Sequence, residues 1–97
     1  MRVQIPDHQQ VREIIVSHHC LLRFRERARI RTSGVEALNA QLRVVLAEVE
    51  ISAVTPAWVS GEYDTPLWAL SGEFAFPLTP VGVSGSYLAR TCLLRPC

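Results

Sequence analysis

Lysine is missing from this 97-residue chain: all ten basic residues are arginine. Arginine is the cation of planar, bidentate contacts to phosphate and carboxylate, and its codons are also those of a GC-rich genome. Charge is scarce, at 20% of residues, while 48% are apolar. That balance excludes a disordered chain, supplies one core and leaves room for an apolar contact surface. A net charge of +1 excludes a general nucleic-acid coat protein. Cysteine is limited to Cys20, Cys92 and Cys97, an odd number outside any disulfide framework. The first ten residues lack an apolar signal region, and no apolar run approaches the roughly 18 residues needed to span a bilayer. These absences lead to the expectation of a cytoplasmic protein with reduced thiols, no membrane partner and one domain over residues 1–97. Internal repeats and linkers are also lacking.

What charge there is lies unevenly. Residues 22–31 hold five arginines against Glu26 and carry +4, whereas residues 36–73 hold six carboxylates against Arg43 and carry −5. One segment attracts anions; the other suits a basic partner or an internal counterweight.

Met1–Ile5 and Val11–Val16 have the composition of short strands, although Arg12 and Glu13 also suit a helical turn. A helix is expected over residues 18–29, with Ser17 as N-cap and Cys20, Leu21, Phe24 and Ala28 on one face. Arg23, Arg27 and Arg31 fall along one edge of that face, Arg25 and Arg29 beyond the other. A second helix is expected over 34–50, started by the capping box Ser33 to Glu36 and carrying Val35, Leu38, Leu42, Val45, Leu46 and Val49 at helical spacing. Strands follow over 53–59, 67–70, 73–78 and 87–94, with a tight turn at Ser71–Gly72. The expected fold is α+β, with two N-terminal helices packed on one face of a three- to four-stranded antiparallel sheet.

The segment Ser17-His18-His19-Cys20-Leu21-Leu22-Arg23-Phe24-Arg25-Glu26-Arg27 carries the most chemistry. A helix start, an imidazole and several guanidinium forks together can hold an anion. The segment resembles the "S-x-H-A-x-x-R-x-x-x-R" opening of BrnT-like toxin domains, relatives of the RelE-like microbial ribonucleases. The order of two helices followed by antiparallel strands is similar to that group's plan. The resemblance implies metal-independent RNA cleavage, with His19, Arg23 and Arg27 in the family's His and Arg positions. Cys20 stands where alanine is common. The long acidic second helix and the proline-rich loop before the last strand depart from the family pattern.

Such chemistry needs a group to take the 2′-hydroxyl proton and donors for the phosphorane charge. His19 is the candidate base or acid, Arg23 and Arg27 share a helix edge, and Arg90 in the last expected strand would complete the grip. The plainer readings are a histidine bonded to backbone and a Glu26 paired with Arg23 or a sheet neighbour. Adjacent His18, His19 and Cys20 diverge by about 100° each on a helix, so no shared metal and no cofactor are expected; Cys20 belongs to the core. Arg25 and the loop residues Glu62, Tyr63 and Asp64, flanked by Trp58 and Trp68, are candidates for binding. The expected partner is RNA or a host or antitoxin protein, with a homodimer also compatible with so weakly charged a chain. The alternative to a ribonuclease is a non-catalytic interaction protein of a phage or mobile element.

Overall fold

A computed structural model describes residues 1–6, 8–31 and 34–96. The element order is β1 (Arg2–Gln4), β2 (Glu13–Val16), α1 (His18–Arg27), α2 (Val35–Leu46), β3 (Glu50–Ser52), β4 (Leu67–Ser71), β5 (Phe74–Pro80), β6 (Ser86–Ala89) and β7 (Leu93–Leu94). The sheet runs β1-β2-β6-β5-β4-β3, with β7 also against β5.

This corrects the expected architecture in three respects. Strands precede the helices, the sheet has seven strands among the described residues where three or four are expected, and it is mixed, because β2 lies parallel to β6, with Ile14 opposite Tyr87. Parallel strands require a long crossover, and the helices belong to the connection that supplies it. Val11–Val16 is read as strand but its place is central: Val11, Ile14 and Val16 are buried. The sheet also curls into half a barrel, so that Gln4 at the end of β1, Ile5 and Pro6 after it, and Ile51 of the opposite edge line one cavity beneath the end of α2.

Helix α1 starts as its sequence dictates. The Ser17 hydroxyl accepts the Cys20 N–H at 3.0 Å, and Cys20, Leu21 and Phe24 are buried. It stops at Arg27, two residues short of expectation. The Arg29 N–H bonds Glu26 and the Ile30 N–H bonds Arg25, with Arg29 at φ 57°, which is a Schellman closure on a residue other than glycine. Helix α2 begins at Val35 with Gly34 as N-cap; Ser33 of the expected capping box lies outside the described residues. It ends at Leu46, so residues 50–52 become β3, and 53–59 is loop where a strand is expected.

The hairpin β4–β5 turns on Gly72–Glu73, with Ser71 opposite Phe74 and Gly72 at φ 55°. Its two faces are covered differently. Leu67, Ala69, Phe76 and Leu78 join Leu21, Phe24, Leu38, Leu42 and Leu46 in the main core under the helices. Trp68 and Ala75, fully buried but outside that core, point to the other face together with Pro77. The loop 53–66 closes over them: Trp68 Nε1 donates to Thr55 Oγ1 at 3.1 Å, Tyr63 meets Trp68 edge-on at 5.5 Å, and the Thr65 hydroxyl bonds the Leu78 carbonyl.

The expected last strand, 87–94, is interrupted. Leu78 pairs with Ala89 and Ala75 with Leu93, so two residues of β5, Phe76 and Pro77, face three of its neighbour. That extra residue is a β-bulge in Arg90–Cys92. The carbonyls it frees are taken up by α1 and its cap: Ser17 Oγ donates to Arg90 O at 3.1 Å, and Arg27 Nε to Cys92 O at 2.7 Å.

Candidate binding track

The α1 edge marked out by the sequence exists. His19, Arg23 and Arg27 succeed one another at four-residue spacing, and Arg23 Nε approaches His19 Nε2 at 3.5 Å. Arg23 also pairs with Glu26 at 2.8 Å, an exposed bridge between residues three apart. Such pairs contribute only a few tenths of a kcal/mol, so Arg23 is readily released to another anion. His18 and His19 are exposed while Cys20 is buried.

Arg27 has two duties. Its Nε holds the bulge carbonyl, while the side chain lines a cleft of about 350 Å³ with Trp58, Val59, Ser60, Tyr63 and β7. Its terminal nitrogens make no hydrogen bond among the described residues. Tyr63 forms part of a second cavity of about 320 Å³, shared with Glu62, Asp64, Pro77, Thr79 and Arg90. Pro77 and Thr79 face away from the helices, and Arg90 lies with them.

The sequence candidates therefore fall along a track. His19, Arg23 and Arg27 span about 12 Å of helix at 1.5 Å per residue, and Arg27 leads into the aromatic cleft. The Arg90 side chain lines the neighbouring cavity with Glu62 and Asp64, while its carbonyl accepts from Ser17 at the start of α1. Arg25 is exposed and lines neither cavity. Trp58 was not among the candidates, although an aromatic at the foot of a polar loop is a signal for one. Among the described residues no three His, Cys, Asp or Glu side chains cluster, and no helix is long and apolar enough to cross a membrane.

Neither described cysteine is a nucleophile. Burial drives the Cys20 thiol far up, reinforced by neighbouring Cys92, and pushes Cys92 up to about 12 despite the opposing charge of Arg27. Thiolates are absent near neutrality under those conditions.

No protein-family model, characterised protein or solved structure matches the chain.

Proposed function

We propose that this protein binds single-stranded RNA along the track from α1 to the loop face of the sheet. The observation that carries the reading is Arg27 beside Trp58 and Tyr63 in one cleft, at the end of α1 and within residues 22–31, which carry +4. Single strands are held by a basic groove following the backbone and by aromatic rings on which bases stack, at about 1–3 kcal/mol per base. Arg23 and Arg27 supply the phosphate contacts, Tyr63 and Trp58 the rings. Glu62 and Asp64 disfavour a phosphate in the second cavity but suit a base edge, where carboxylates accept amino protons and Arg90 donates to carbonyl or ring acceptors.

The resemblance to ribonuclease toxins adds cleavage, with His19 as acid or base. The geometry supports binding further than cleavage. No carboxylate or backbone group among the described residues orients His19, and Arg90 lines the cavity of Glu62 and Asp64.

The test is fluorescence-anisotropy titration of a short oligoribonucleotide at several salt concentrations. Arg23→Ala should reduce the log–log salt slope by about 0.7, the value for one phosphate contact on a single strand. Incubation of wild type and His19→Ala with the same RNA reads cleavage separately. Absence of binding at low salt would reject the reading and leave the non-catalytic, protein-binding alternative.

A further inference from the structure

The second cavity of the loop face, about 320 Å³, is lined by opposite charges that do not close on one another. Glu62 and Asp64 come to it from the loop, Arg90 from the bulge beyond β6, and Tyr63, Pro77 and Thr79 share its wall. Arg90 is anchored by its carbonyl, which accepts from Ser17 at 3.1 Å. Its guanidinium and the two carboxylates make no hydrogen bond among the described residues, where the ion pairs are Arg2–Glu13 and Arg23–Glu26. A cavity furnished in this way fits a flat ligand with donors on one edge and acceptors on the next. All three residues are exposed, so a carboxylate that the ligand leaves aside stays solvated.

On the premise that the chain binds single-stranded RNA, we propose that this cavity takes guanine and is where the sequence of the strand is read. The four bases differ in how well they use both charges. Uracil has one N–H between two carbonyls, so a carboxylate that meets it also faces a carbonyl oxygen. Adenine has one amino group with a ring acceptor on either side. Cytosine gives its amino group to one carboxylate oxygen and its N3 and O2 to an arginine. Guanine alone satisfies both partners twice. Its N1–H and 2-amino group lie side by side and match the two oxygens of Glu62 or Asp64, while its O6 and N7 match the fork of Arg90. Tyr63 belongs to this cavity and to the Arg27 cleft, so bases held in the two are neighbours along the strand.

Anisotropy titrations at one low salt concentration, with uridine oligoribonucleotides of one length that differ only at the central base, test the assignment. Guanine should bind about tenfold or more tighter than uracil, adenine or cytosine, the discrimination of one good bidentate pair. Inosine, which lacks the 2-amino group, and 7-deazaguanosine, which lacks N7, should each lose part of that preference, because each leaves a charged partner unmatched. These comparisons use the wild-type chain, so they hold even where a variant fails to fold. Arg90→Ala, and Glu62→Gln combined with Asp64→Asn, should bring the ratio of guanine to uracil affinity towards one. Guanosine monophosphate alone should bind far more weakly than the strand, since it makes no contact along α1; equal affinity would overturn the assignment to a strand. Binding of every oligonucleotide with no preference, or with a preference for cytosine, would overturn the guanine subsite and leave RNA binding standing. Absence of binding by all of them would overturn both.

Discussion

The two faces of the β4–β5 hairpin are buried by different kinds of chain. One is covered by two helices whose apolar residues recur at 3.6-residue spacing; the other by the irregular loop 53–66, held through Trp68, Tyr63, Thr55 and Thr65. The helix face is an apolar core without a buried polar or charged residue among those described. The loop face is a smaller cluster that leaves two cavities open and carries the polar side chains lining them. Periodic packing buries the helix face, and irregular packing leaves polar side chains lining open cavities.

The largest expected effects compare those faces directly. Trp68→Ala should cost about 3–5 kcal/mol and Leu42→Ala about 2–5 kcal/mol in chemical denaturation, both being fully buried. Similar losses would show that the loop is a true second core layer. A cost for Trp68→Ala below about 1 kcal/mol, the range of surface substitutions, would make the loop a loose cover.

Arg27→Ala should come next, at about 1–3 kcal/mol, because it strands the carbonyl of buried Cys92. Under the proposed function the same change should also weaken RNA binding, so Arg23→Ala, whose partner Glu26 is exposed, is the variant that separates binding from folding. Equal stability losses for the two arginines would contradict the distinction drawn between them.

How much of this was legible follows from the range of each interaction. The Ser17 cap, the Cys20–Leu21–Phe24 face and the His19–Arg23–Arg27 edge are set within one or two helical turns, so spacing alone reveals them. The parallel pairing of β2 with β6 joins residues 73 apart, and nothing local in Val11–Val16 distinguishes a central strand from an edge. Trp58 and Val59 have strand composition, yet the Val59 N–H bonds Pro56 in a turn. The bulge at Arg90–Cys92 has no sequence mark; it is held by Ser17 and by Arg27, the latter 65 residues away. That contact made Arg27 part support, and the bulge put Arg90 on the loop face.

A smaller effect distinguishes the cores by pH. The Cys20 and Cys92 thiols are raised from 9.0 in the folded chain, chiefly by burial. Unfolding lets them ionise more readily, so their contribution is complete below pH 9 and is lost as pH rises towards about 12. Denaturation midpoints should fall over that window in wild type and fall less in Cys92→Ala. A pH-independent difference between the two would place Cys92 outside the apolar interior.

The central claim, that Arg27, Trp58 and Tyr63 form a base-stacking cleft for RNA, is tested most directly by tryptophan fluorescence. Trp68 is fully buried and Trp58 lines the cleft, so titration with a short oligoribonucleotide at low salt should quench emission from Trp58. Trp58→Phe should abolish the quenching, and Tyr63→Ala should weaken the affinity by about 1–3 kcal/mol, the value of one base stack. Emission unchanged by RNA in the folded wild type, or quenching that persists in Trp58→Phe, would contradict the account.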